Sequence, residues 1–178
     1  MNKEVKMMRM LSPKMLNGLV EFCSAVEKKL GTDAPMIVEL GSYIGESTAV
    51  FLREFPEARI HCVDAWAPTR KYHVEDITLA EKIFDAHVGR YVWKRKCFTD
   101  DPKLEDLNTA HLVYIDADHS YEAVKRDIEI WLPRIRKGGI IGGHDYETAG
   151  KFGVKRAVDE RFGKPDMVFE DTSWLVYL

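Results

Sequence analysis

A chain of 178 residues with 46% hydrophobic content can bury one good core, and its length favours a single domain over residues 1–178. Its 26 basic and 29 acidic residues nearly balance, for a formal net charge of -3, so neither nucleic acid nor an anionic membrane is the expected partner. Cys23, Cys62 and Cys97 form an odd, widely spaced set inside apolar patterns, which argues against a disulfide frame or a zinc site and for reduced core residues in a cytoplasmic protein. The opening stretch MNKEVKMMRMLSPK is broken by charge and no run approaches spanning length, so neither a secretory signal nor a membrane span is expected.

Ser12 and Pro13 make a helix cap and first turn, and Leu16, Leu19, Val20, Cys23, Val26 and Leu30 follow at helical spacing up to Gly31. This predicts an N-terminal covering helix over 1–31, ahead of a core over 36–178. Met36, Ile37 and Val38 are a short apolar run of the kind buried between two helix layers, with Glu39 at its carboxyl end. Gly41 and Gly45 then predict a tight strand-to-helix turn with backbone N–H groups open to a ligand. Their spacing departs from GxGxxG, so a dinucleotide pyrophosphate cradle is not indicated. Glu46 to Phe55 is a crossover helix stopped by Pro56, and Arg59 to Val63 is a second strand ending in Asp64. That acid falls where mononucleotide folds place a ribose-binding carboxylate.

Ala65 to Asp76 is too irregular for a regular element; Trp66 and Tyr72 within it either wall a pocket or tuck into the surface. A helical stripe from Ala80 to Val88 ends at Gly89, and Tyr91 to Cys97 reads as a third strand with Thr99, Asp100 and Asp101 at its exit. The fourth strand, His111 to Ile115, opens into Asp116, Asp118 and His119, after which Ser120 caps a helix whose inner face is Val124, Ile128, Trp131 and Leu132. A fifth strand, Gly138 to Ile141, exits through two glycines into His144, Asp145 and Tyr146. The last helix carries Val154, Ala157, Val158 and Phe162, and the runs 167–170 and 174–178, split by Asp171, Thr172 and Ser173, predict a terminal antiparallel hairpin.

Five alternations of strand and helix define an α/β fold: a Rossmann-like, open, mostly parallel sheet with helices on both faces and a C-terminal antiparallel hairpin. Right-handed crossovers place the carboxylates on one edge. Asp116, His144 and Asp145 there offer oxygen and imidazole ligands for a divalent metal such as magnesium or manganese. The competing reading makes Asp118 a helix cap and His119 and His144 ordinary loop histidines. The crowding favours a site, because clustered acids repel one another unless something cationic lies between them.

VELGSYIGES, the strand-end Asp64, YIDADHSYE and GGIIGGHDY together resemble the class I S-adenosylmethionine-dependent methyltransferases. Within that class the chain resembles the metal-dependent O-methyltransferases of the catechol, caffeoyl-CoA and especially macrolide-sugar types. The resemblance spans Met36 to Tyr146. It implies that Glu39, Gly41, Ser42, Tyr43, Gly45 and Ser47 surround the methionine part of S-adenosyl-L-methionine, that Asp64 accepts the ribose hydroxyls, and that Thr99 and Asp100 lie at the adenine. It further implies a catalytic group of Asp116, His119 and Asp145, with Asp116, also beside the cofactor, joining His144 and Asp145 around Mg2+ or another divalent cation. His119 stands where the catechol branch has a catalytic lysine. That branch has aspartate and asparagine where this chain has His144 and Asp145, and only one helix precedes the central strand here. The expected substrate is a small-molecule or sugar hydroxyl, with homo-oligomerisation left open. The rival readings are a metal-dependent phosphoesterase, which leaves the GSYIG turn unexplained, a nucleotide-binding domain without turnover, and, further off, an NAD-dependent oxidoreductase.

Overall fold

The computed structural model describes residues 12–68, 73–147 and 153–178. In chain order these form helix α1 (Pro13–Leu30), strand β1 (Met36–Leu40), α2 (Glu46–Glu54), β2 (Arg59–Asp64), α3 (Val74–His87), β3 (Trp93–Lys96), β4 (Ala110–Ile115), α4 (Tyr121–Trp131), β5 (Ile135–Gly143), α5 (Val154–Phe162), β6 (Met167–Val168) and β7 (Trp174–Tyr177). The strands make one sheet in the order β3-β2-β1-β4-β5-β7-β6. Strands β1 to β5 run parallel, and β7 is antiparallel to both β5 and β6. The expected fold, with its reversed C-terminal strands, is therefore the observed one.

Alternation along the strands sends side chains into two cores. Ile37, Ile60, Cys62, Leu112, Tyr114 and Ile140 meet α1, α2 and α3 on one face, while Val38, Leu40, Val63, Val113, Ile115 and Ile141 meet α4 and α5 on the other. Both faces are covered, which is why the parallel strands read as nearly continuous apolar runs. Cys23 and Cys62 are buried free thiols, and Cys97 is a half-buried one, as their apolar surroundings predicted. No helix among the described residues is long and apolar enough to cross a membrane.

Several boundaries differ from the sequence expectation, each for a local reason. Helix α3 starts at Val74, inside the stretch taken as irregular, because Glu75 and Asp76 suit the positive end of a helix. Trp66 is core: its ring lies 4.9 Å from that of Phe84, and its indole N–H donates to the Tyr43 carbonyl at 2.8 Å. Tyr72 lies outside the described residues. Strand β3 is shortened to four residues by a 3-10 turn at Gly89–Tyr91, and it forms one edge of the sheet. Strand β5 begins at Ile135, earlier than the glycines suggested, and a shift in register against β4 takes up the extra residues. At the opposite edge, β6 has only two residues.

Helix α4 braces the loop that leaves β3. The indole N–H of Trp131 donates to the Thr99 carbonyl at 3.0 Å, the Thr99 hydroxyl donates to Asp127 Oδ1 at 2.6 Å, and Arg126 pairs with Asp100 at 3.4 Å. Asp127 is 1% exposed, and burial pushes its carboxyl up to about 6 against the opposing Thr99 hydrogen bond. A folded-state value above the unfolded one means that the buried acid favours folding when protonated. That contribution is complete below the ordinary carboxylate range and is lost as pH rises through about 6. Asp127→Asn, which can still accept from Thr99, should therefore be more stable than the wild type at pH 7.5 by about 1–2 kcal/mol, with the advantage vanishing near pH 4. Chemical denaturation at the two pH values checks this, and an advantage independent of pH would contradict it.

Candidate active site

The site follows from strand register. Leu40 pairs with Val63 on one side and Ile115 on the other, and Ile115 pairs with Gly143. The next residue along each strand is Gly41, Asp64, Asp116 or His144, so one row of the sheet delivers all four to the same carboxyl-terminal edge. The order of strands reverses between β1 and β4, where open α/β sheets bind their ligands.

Glu39 sits one row below that edge and is 0% exposed. Its carboxylate accepts hydrogen bonds from the hydroxyls of Ser42 and Ser47 at 2.6 Å and Thr48 at 2.5 Å, with the Cys62 thiol at 3.5 Å. Burial pushes the Glu39 carboxyl up, and the hydroxyls of Ser42, Ser47 and Thr48 pull it back. Held in this way, the Glu39 carboxylate ties the loop to the start of α2 through Ser42, Ser47 and Thr48. Asp64 clamps the same loop from the other side: its Oδ2 accepts from the backbone N–H groups of Ser42 at 3.1 Å and Tyr43 at 2.9 Å, and its Oδ1 accepts from that of Trp66 at 2.7 Å. A carboxylate has about four acceptor positions, so one remains for an incoming hydroxyl.

The loop glycines answer mainly to the protein itself. Gly41 has φ +88, and a Cβ there would lie 2.3 Å from the Asp116 carbonyl oxygen, because β1 and β4 leave the sheet side by side. Gly45 is the left-handed residue that opens α2. Tyr43, with φ 46, holds a conformation unusual for its type, as residues at ligand sites often do. The side chains of Tyr43 and Ser47 stay half-exposed at this edge, whereas Ser42 is buried.

The second cluster lies beside this loop. Ligand atoms of Asp116, His144 and Asp145 all fall within 4.8 Å of one another. His119 bridges the two acids, with Nε2 3.3 Å from Asp116 and Nδ1 2.9 Å from Asp145. His144 Nδ1 is 3.4 Å from Asp145 Oδ1. Burial opposes a charge on either imidazole, but the carboxylates outweigh it: hydrogen bonds and charges from Asp116 and Asp145 raise His119 to about 10, and Asp145, Asp116 and Asp171 raise His144 to about 9. Asp145 resists burial and is held far below the usual carboxylate range by its bonds to both histidines. The two imidazolium groups thus supply positive charge among the acids, so crowding alone does not demand a metal. The donor set does fit one: two carboxylates and an imidazole in one small volume, half-buried and beside the ligand-binding edge.

Asp118 closes a turn, its Oδ1 accepting from the Ser120 N–H at 2.8 Å, and the helix cap itself is Ser120, whose hydroxyl accepts from the Ala123 N–H. Thr99 is 9% exposed with its hydroxyl committed to Asp127, so its backbone and the exposed Asp100 are what it offers at the edge. Sequence reading passed over Thr48, Asp127 and Asp171. Asp127 left a signal, an acid three residues after Val124 and four before Trp131 on the inner face of its helix.

A nucleotide-type sheet with a buried acid in β1, a second acid after β2 and a reversed last strand fits the class I S-adenosylmethionine-dependent methyltransferases. Residues 38–146 match the family described as "Methyltransferase domain", and the chain belongs to that family. The chain is also 28% identical over 122 residues to the uncharacterized protein y4gI of Sinorhizobium fredii, a match covering 63% of this chain but only 13% of that longer protein. Among solved structures it is similar to CalS11, a TDP-rhamnose 3'-O-methyltransferase of calicheamicin biosynthesis, with TM-score 0.62 and 16% identity over 98% of this chain and 91% of that one. It is similar to the sugar N-methyltransferase KedS8 of Streptoalloteichus, with TM-score 0.55 and 13% identity over 77% of this chain and 51% of that one. Fibrillarin of Aeropyrum pernix, which carries natively bound S-adenosyl-L-methionine, gives TM-score 0.57 and 15% identity over 90% of this chain and 75% of that one. At such identities the likeness is one of fold. The family match sets aside the phosphoesterase and oxidoreductase readings.

Replacing Glu39 by glutamine should turn an amide N–H toward hydroxyls that now all donate, at a cost of about 2 kcal/mol. A urea titration of Glu39→Gln with an unchanged midpoint and slope would show that the hydroxyls do not depend on the charge.

Proposed function

We propose that the protein transfers the methyl group of S-adenosyl-L-methionine to a hydroxyl of a small molecule, most simply a sugar, with a divalent cation at Asp116, His144 and Asp145. The observation that carries this reading is the convergence of those three ligand atoms within 4.8 Å at the end of the sheet where the Gly41–Gly45 loop lies. The names of CalS11 and KedS8 support a sugar acceptor. Oxygen is favoured over nitrogen because a hydroxyl needs activation, and a cluster of acids and imidazoles is suited to supply it.

The methyl carbon of a sulfonium is already electrophilic, so the protein's task is to align the acceptor at about 3 Å and help it become anionic. Asp64 would accept the ribose hydroxyls through its remaining acceptor position, while Ser42, Tyr43 and Ser47 shape the walls for the methionine moiety over the buried Glu39. Thr99 and Asp100, pinned by α4, would frame the adenine. A divalent cation, when bound, would lower the pKa of a hydroxyl coordinated to it. His119 would take the hydroxyl proton, and it can do so once the negative charge of Asp116 and Asp145 is engaged elsewhere and no longer holds the ring as imidazolium.

The test is methyl transfer from isotopically labelled S-adenosyl-L-methionine to a panel of nucleotide sugars and simple hydroxyl compounds, with chelator and with added Mg2+ or Mn2+. Product should disappear with chelator and return with metal. Asp145→Ala should abolish transfer while calorimetry still shows cofactor binding, whereas full activity of that variant in chelator would remove the metal from the reaction. Cofactor binding without product across the panel would instead support a domain that binds without turnover.

His119→Ala should lower turnover about a hundredfold or more if the ring takes the proton. A pH–rate profile that keeps its shape in this variant would leave His119 without that role.

A further inference from the structure

Three buried acids lie close to the sheet. Glu39 and Asp127 are accounted for by the loops they hold, but Asp171, in the turn between β6 and β7, is not. Its side chain is 2% exposed, and its nearest basic group is the imidazole of His144, with Oδ2 3.8 Å from Nε2. A buried carboxylate is costly without charged or donating partners.

Asp171 is seated with unusual thoroughness for a turn residue. Its Oδ1 accepts from the Ser173 N–H at 3.0 Å and its Oδ2 from the Ser173 hydroxyl at 2.7 Å, and the Ser173 hydroxyl in turn lies 3.3 Å from that of the buried Tyr114. The backbone N–H of Tyr146 donates to the Thr172 carbonyl at 3.0 Å, tying this turn to the segment that carries His144 and Asp145. On the other side, helix α1 makes room: a Cβ on Gly18 would stand 2.4 Å from Asp171 Cγ. Two elements outside the family-matched residues 38–146 thus converge to hold one carboxylate behind His144.

The geometry has a chemical meaning. An imidazole binds a cation through one bare nitrogen, and the other nitrogen must keep its proton and find an acceptor that fixes the ring. Of the two ring nitrogens of His144, Nε2 faces Asp171 Oδ2 at 3.8 Å, just beyond hydrogen-bond reach, and Nδ1 faces Asp145 Oδ1 at 3.4 Å. We propose that Asp171 is a positioning residue that keeps the proton on Nε2 of His144 and aims Nδ1 at the cation position shared with Asp116 and Asp145. This rests on the divalent-cation reading of that cluster. Asp171 would touch neither cofactor nor acceptor, and its effect would run wholly through His144.

The experiment uses the full chain, freed of metal, and two variants, Asp171→Asn and Ser173→Ala, the second leaving the acid in place with its backbone tether but without the hydroxyl bond to Oδ2. Mn2+ binding is followed by calorimetry, and the His144 Nε2–H by 15N-edited NMR. Asp171→Asn should bind Mn2+ about 10–100-fold more weakly and lose the exchange-protected Nε2–H signal, while S-adenosyl-L-methionine binds within about twofold of wild type. Ser173→Ala should weaken Mn2+ in the same direction and by less. Wild-type Mn2+ affinity with a retained Nε2–H signal in a folded Asp171→Asn overturns the role of Asp171 and leaves the metal reading standing. Absence of Mn2+ binding by the wild type overturns the metal reading itself, and with it the purpose assigned to Asp171.

Discussion

The in-register alignment of four parallel strands is the constraint on which the rest depends. Because Leu40, Val63, Ile115 and Gly143 share a row, the next residue of each strand must emerge at the same edge, and none can move along its strand without turning its neighbours inside out. The polar groups of the site are therefore positioned by the apolar pattern beneath them. Ile37, Val38, Leu112 and Val113, buried on two faces, fix the register, and Gly41, Asp64, Asp116 and His144 inherit it.

Above that row, the site is organised by charge in two different ways. Around Glu39 a single buried carboxyl is shared by three hydroxyls and a thiol, and among the described residues no cation hydrogen-bonds to it. Such a centre shapes the loop. Around Asp116 and Asp145 the opposite holds: the acids are balanced by imidazoles, whose charge depends on their company.

The fold was readable from the chain because its signals were local and repeated: short β-branched runs, amphipathic stripes, caps at Ser12 and Ser120, and a reversed pair of strands after Pro165. The edge on which the site lies followed from topology, and Asp64, Asp116, His144 and Asp145 all lie there. What escaped the sequence was the direction in which side chains spend their hydrogen bonds. Glu39 was legible as a strand-end acid, but its bonds to Ser42, Ser47 and Thr48 were not, because they depend on how the loop folds back over it. Trp66 looked equally like a pocket wall and a core residue, and the indole N–H bond to Tyr43 decides for the core. Asp171 read as a turn former, since nothing local reveals that Gly18, more than 150 positions earlier, leaves a hollow for it.

The two borders of the sheet carry a further implication. One is the brief β3, whose Lys94, Arg95 and Lys96 are ion-paired with Glu81, Asp85 and Asp106, and the other is the two-residue β6. Neither offers a neighbouring polypeptide a long, uncharged template for backbone pairing. Among the described residues, then, a largely apolar sheet ends in two blunted borders, and a passing chain would gain little backbone pairing at either.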